Sequence, residues 1–113
     1  MHELSIAMGI VKIAEKEAKK ANAKKIELIE LEIGELSGVQ IDALDFAWPM
    51  AVNGTLLESA KKIVFNIKGI AVCSDCKHEY EISHYYDSCP KCNSNLKIIV
   101  QGKELRVKSL EVS

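Results

Sequence analysis

The chain has 113 residues, 48% of them hydrophobic, and its 15 basic and 16 acidic side chains leave a formal net charge of −1. That length suits one compact domain, or one domain carrying a small insertion. The near-neutral balance gives no electrostatic pull toward nucleic acid or an anionic membrane.

The N-terminus, Met1 to Ser5, lacks the basic start, apolar run and small-residue cleavage site of a secretory signal. No apolar run approaches the roughly 20 residues needed to span a bilayer. The expectation is a cytoplasmic protein. In that reducing compartment cysteines set as two close pairs favour metal binding over disulfides.

Residues from about Leu4 to Asn22 predict an amphipathic helix, with Leu4, Ala7, Met8, Val11, Ala14, Ala18 and Ala21 on one face. Ser5 or Glu3 is the candidate cap at its start, and Asn22 suits the left-handed turn at its end. Ile26 to Ile33 predicts a strand, with Ile29, Leu31 and Ile33 on one face and Glu30 and Glu32 on the other. Its phase slips at Leu28–Ile29, which implies a bulge or a strand end covered on both faces. Ser37 with Gln40 fits a capping box opening a second helix, whose buried stripe would be Ile41, Leu44, Trp48 and Ala51. Pro49 predicts a kink or an end near Trp48, because an interior proline removes a hydrogen bond and costs ~3 kcal/mol. Ile63 to Lys68 and Leu105 to Val112 predict two further strands. The cysteine segment lies between them.

Cys73, Cys76, Cys89 and Cys92 form two Cys-x2-Cys pairs separated by twelve residues. Each pair can sit on a tight turn whose amides point at the sulfurs, and two such turns on facing hairpins present four thiolates tetrahedrally. This is the donor set and spacing of a structural zinc site with no open coordination position. A thioredoxin-like redox site would need only one pair, at a strand-to-helix junction, and neither pair opens a convincing helix. On spacing alone His78 and His84 read as loop histidines rather than ligands, with an exchange of His78 for a cysteine ligand left open. Residues 73 to 92 carry two lysines against four carboxylates, so the tyrosines there are poorly placed to serve a nucleic-acid site.

Met1, His2 and Glu3 make a second constellation. An imidazole nitrogen of His2, the neighbouring amide nitrogens and the terminal amine together suit Ni(II) or Cu(II), which favour nitrogen donors in a plane. Alone, an N-terminal histidine is ordinarily exposed and idle.

Context changes that reading. Met1-His2-Glu3-Leu4-Ser5, Ile33-Gly34-Glu35-Leu36-Ser37-Gly38-Val39, Gly54-Thr55-Leu56-Leu57-Glu58, the two cysteine pairs, Gly102-Lys103-Glu104-Leu105 and Ser109-Leu110-Glu111-Val112 occur in this order. Together they resemble the HypA/HybF family over nearly the whole chain. The resemblance implies an α+β fold: two helices on a three-stranded sheet form a nickel-binding domain (residues 1–70 and 101–113), into which a zinc-ribbon-like domain with four cysteine ligands (residues 71–100) is inserted. It implies a nickel metallochaperone, not an enzyme, that carries Ni(II) and serves maturation of [NiFe]-hydrogenase, with urease a further recipient in some members. His2 would be the essential nickel ligand, Met1 and Glu3 would add main-chain atoms, and Zn(II) would sit at the four cysteines. The partners implied are a HypB-type GTPase and the hydrogenase large subunit. No nucleic acid or membrane is among them, and the protein itself would be a monomer or weak homodimer. The family often has an acidic residue where Gln40 stands, so a further nickel ligand is open among Gln40, Asp42, Glu35 and the Glu3 side chain. Some members have a histidine where Asn93 stands. The competing reading is a zinc-ribbon adaptor that binds protein or nucleic acid and carries no nickel.

Overall fold

The computed structural model describes residues 2–113, as two helices and two small sheets in an α+β arrangement. The elements in chain order are α1 (Glu3–Lys20), β1 (Ile26–Gly34), α2 (Ile41–Val52), β2 (Lys61–Ile67), β3 (Gly69–Cys73), β4 (Glu79–Ile82), β5 (Lys97–Gln101) and β6 (Leu105–Val112). One sheet has the order β2-β1-β6 and the other β4-β3-β5. The chain divides into two compact units. One takes the chain through Glu32, with Val39–Phe65 and Arg106–Ser113; the other takes Ile33–Gly38 and Asn66–Leu105. Among the described residues no helix is long and apolar enough to cross a membrane.

In the first unit α1 packs against α2. The expected face of α1 holds at Ala7, Val11, Ala14 and Ala18, which are buried, but the stripe is rotated. Ile10 and Glu3 are buried with them, whereas Leu4 and Met8 are exposed. An alanine-rich helix leaves its phase to its few large side chains, and Ile10 has the deeper seat. No side chain caps α1: its N-cap is His2, while Glu3 in the first turn is engaged elsewhere. Asn22 takes the left-handed conformation, φ 56°, and its amide donates to the Lys19 carbonyl at 3.0 Å. In β1, Ile26, Ile29, Leu31 and Ile33 are fully or almost fully buried. The slip in phase thus falls between two buried residues at the start of the strand.

The capping box at Ser37 does not form, since α2 begins at Ile41 with Gln40 at the N-cap and no side-chain cap. Nor does Pro49 end the helix, which runs on to Val52. The residues on either side explain this. Trp48 and Val52 are buried along with Leu44, and each such burial contributes about 1.5–3 kcal/mol. Together they offset the ~3 kcal/mol cost of an interior proline, whose ring stays on the exposed side. Lys62 adds an ion pair to Asp45 and lies 5.3 Å from the centre of the Trp48 ring. The helix stops at Asn53, and Gly54 takes φ 76°.

The second unit is a three-stranded antiparallel sheet. β3 pairs with β4 (Ala71 opposite Tyr80, Val72 opposite Glu79) and with β5 (Ala71 opposite Ile99, Val72 opposite Ile98). Its core is Leu36, Ala71, Cys73, Tyr80, Ile82 and Cys89, with Ile99 packed against it. Leu36 joins from Ile33–Gly38, whose Glu35 and Leu36 amides donate to the Ile67 and Gly102 carbonyls at 2.9 and 2.7 Å. A glycine is required at 102: φ is +119°, and a Cβ there would lie 2.6 Å from the Gly69 Cα.

Candidate metal centre

The two cysteine pairs are built on the same turn, used twice. In the first, the Cys73 amide donates to the His78 carbonyl at 2.9 Å and the Lys77 amide to the Cys73 carbonyl at 3.0 Å. In the second, the Cys89 amide donates to the Ser94 carbonyl at 2.9 Å and the Asn93 amide to the Cys89 carbonyl at 2.8 Å. Lys77 (φ 66°) and Asn93 (φ 62°) occupy equivalent left-handed positions. The chain therefore folds back within five residues of each leading cysteine, which brings both thiols of a pair to the same side. The Cys76 amide points at the Cys73 sulfur, 3.5 Å away.

The four Sγ atoms lie within 4.8 Å of one another. Cys73 and Cys92, one from each turn, are 3.6 Å apart, and so are Cys76 and Cys89. A tetrahedral ion with metal–sulfur bonds of about 2.3 Å sets its sulfurs about 3.8 Å apart, whereas a disulfide needs about 2.05 Å. The arrangement fits an ion and excludes two formed disulfides. Within each pair the first cysteine is buried and the second exposed.

Electrostatics point the same way. The Cys76 amide is the main influence that lowers the Cys73 thiol to about 7. At Cys92 the Ser94 amide pulls the value down, but the neighbouring Cys73 sulfur and burial outweigh it and hold the thiol up at about 12. Close-set thiols behave this way because a second thiolate beside the first is unfavourable. A divalent cation removes that penalty and lets all four ionise, so the residues form a four-cysteine metal-binding site.

The histidines stand apart from it: among the described residues the group able to hold a metal is the four cysteines alone. His78 stacks on Tyr80, with centroids 6.3 Å apart and planes 9° apart. His84 stacks on Tyr86 at 4.8 Å and lies near Asp87. Asp87 accepts from the Ser83 and His84 amides at 2.9 and 3.1 Å, and these bonds hold its carboxyl below the usual value. Tyr80 was not foreseen as part of this centre. Its hydroxyl is buried with no hydrogen-bond partner, and burial first, then the charges of Cys73, Cys89 and Cys92, raise its pKa. The alternation of Tyr80 and Ile82 with Glu79 and Glu81 was the available signal.

Of the N-terminal constellation, Met1 lies outside the described residues. His2 is exposed at the N-cap of α1, its carbonyl accepting from the Ile6 amide at 3.1 Å. Glu3 is only 8% exposed, and its carboxylate accepts from the Gln40 amide at 3.1 Å. The starts of α1 and α2 are thereby joined, and the carboxylate does the N-capping that the Gln40 side chain does not. Asp42 and the Gln40 side chain are exposed, and Glu35 belongs to the cysteine unit.

A family model described as hydrogenase/urease nickel incorporation, metallochaperone, hypA, matches residues 1–112. The chain is 46% identical over 112 residues to a hydrogenase maturation factor HypA of Parabacteroides distasonis, covering 99% of this chain and 97% of that one. It is 40% identical over 112 residues to the HypA of Geobacter metallireducens, covering 99% of each. Among solved structures, the solution structure of the nickel metallochaperone HypA from Helicobacter pylori is similar with a TM-score of 0.71 at 33% identity, covering 99% of this chain and 97% of that one.

Proposed function

This chain belongs to the HypA family of nickel metallochaperones for hydrogenase maturation, and from that premise we propose that it binds Ni(II) through His2 and delivers it to [NiFe]-hydrogenase. In this reading nickel is cargo. The ligands are the His2 imidazole and amide nitrogen, with main-chain atoms of Met1 and Glu3. A zinc ion held by Cys73, Cys76, Cys89 and Cys92 is a fixed part of the scaffold. The helical unit carries the nickel and the cysteine unit the zinc. A HypB-type GTPase assists transfer in the cytoplasm to the hydrogenase large subunit, with urease a second recipient, and the protein performs no catalysis of its own.

The observation that carries this reading is the position of His2 at the open end of α1. The first amides of a helix have no intrahelical acceptor, so using them as ligands breaks no hydrogen bond of the fold. The positive end of the helix dipole also favours the ionised amides that Ni(II) requires. The Glu3 carboxylate already accepts the Gln40 amide, which supports a main-chain rather than side-chain role for Glu3. Release is built in, because protons compete for every one of these donors and affinity falls as pH falls.

The test is equilibrium dialysis of protein with a native N-terminus. One nickel and one zinc per chain are expected, and His2→Ala, or residues added before Met1, abolishes the nickel and leaves the zinc. Undiminished nickel in that variant overturns the site; zinc alone in the unaltered protein favours an adaptor role instead.

A further inference from the structure

An antiparallel sheet with one face on a core normally turns polar side chains outward on the other. The sheet of the cysteine unit departs from this. Its inner face carries Ala71, Cys73, Tyr80, Ile82 and Ile99, and the register fixes the opposite face: Val72 lies opposite Glu79 on one side and Ile98 on the other, and Ile70 lies opposite Glu81. Along β5, Ile98 and Val100 stay exposed at 66% and 56%, and Leu96 continues the alternation at 63%. Two of the three strands thus present an apolar outer face, and the third presents a row of two carboxylates. β5 is an edge strand with no proline or charge on that face, the protections such strands usually carry. Contiguous apolar surface of this kind marks an interaction site.

We propose that this outer face is a docking surface for an amphipathic helix of a partner protein, with lysines or arginines along the flank that faces β4. The shape argument comes from layer packing: three strands at ~4.8 Å spacing span about 10 Å, the breadth of one helix, and an apolar sheet face is ordinarily covered by a helix or a second sheet. The charge argument sets the chemistry of the helix's flank. Glu79 has no ion-pair partner among the described residues, and Glu81 has only Lys68 at 3.4 Å, both side chains being exposed. A pair so exposed is weak and readily exchanged. The same carboxylates repel anionic lipid and nucleic acid, and a second copy of this chain carries no basic row on this face to pair with Glu79 and Glu81. None of the proposed nickel ligands belongs to this face, so the proposal stands or falls independently of nickel binding.

The experiment is an amide-shift titration of the zinc-loaded full chain with a synthetic Leu/Lys peptide designed as an amphipathic helix, against an isomer with Glu replacing Lys. Saturable shifts confined to residues 70–72, 79–81 and 96–100, stronger for the Lys peptide, are expected. Ile98→Asp weakens binding about tenfold or more by placing a bare carboxylate in the apolar contact. The double change Glu79→Lys and Glu81→Lys inverts the preference between the two peptides; both sites are exposed, so this variant keeps its zinc and its fold even if Ile98→Asp does not. The proposal is overturned by the absence of saturable binding, or by binding indifferent to the charge inversion. It is also overturned if the same residues shift with protein concentration alone, which would identify a second copy, or with zwitterionic vesicles, which would identify lipid.

Discussion

The cysteine centre and the N-terminus both offer donors to a metal, on opposite plans. At the cysteines, four side chains converge from a backbone turn made twice, and the unit around them has a small core to which Cys73 and Cys89 themselves belong. At His2 the donors proposed are mostly main-chain nitrogens at a helix end, where His2 is exposed while the side chain of Glu3 is buried and joins the two helix starts. On the roles proposed, removing the four cysteines is expected to remove part of the fold, whereas removing His2 is expected to leave it intact. A resident zinc and a transported nickel would call for that difference, since one must be bound as tightly as folding requires and the other must be given up.

The sharpest way to break the contrast is at the leading cysteines. Cys73→Ser or Cys89→Ser should abolish zinc binding and collapse amide dispersion for residues 69–101, because a structural zinc supplies about 10 kcal/mol or more to folds this small. The signals of α1 and α2 should persist. Retention of zinc with native dispersion would show that the centre is not structural. Next in size is Gly102→Ala, which forces a Cβ into φ +119° against the Gly69 Cα. A loss of about 2–4 kcal/mol in thermal or urea unfolding is expected, confined to the cysteine unit.

A smaller effect probes the N-terminal side. Glu3→Ala leaves the Gln40 amide without its acceptor and should cost about 1 kcal/mol in unfolding free energy, while Glu3→Gln, which keeps an acceptor oxygen, should restore most of it. An equal loss in both variants would mean that charge, not the hydrogen bond, joins the two helix starts. The smallest concerns Asp87. Its carboxyl is held below the usual value by the Ser83 and His84 amides, so its contribution is complete above the unfolded-state pKa and is lost only as pH falls through the lower folded value. The carboxylate-linked movement of the Ser83 amide resonance should therefore come at a pH below that of an unperturbed aspartate. Movement at an unperturbed carboxylate pH would show the turn to be loose.

What could be read from the sequence follows the range of each interaction. The four cysteines were legible because their ligand geometry is fixed by spacing along the chain. β1 and β2 were legible because alternation over several residues (Ile29 to Ile33, Ile63 to Ile67) overrides local noise. The face of α1 was half legible: with so many alanines, the choice between Met8 and Ile10 rests on neighbours that periodicity does not show. An end near Trp48 was one of the two readings of Pro49, and it failed because local propensity does not show the burial of Trp48 and Val52 that carries α2 past the proline. Glu3 joining Gln40 across 37 positions, and Leu36 joining the core of the cysteine unit, are contacts that no local pattern carries.

The buried-then-exposed order within each cysteine pair gives the centre a direction in time. Chelators, protons and electrophiles meet Cys76 and Cys92 first, while Cys73 and Cys89 are shielded until the outer bonds have opened. Loss of a bound ion would then be stepwise, with the two outer sulfurs setting how fast it exchanges and all four setting how tightly it is held.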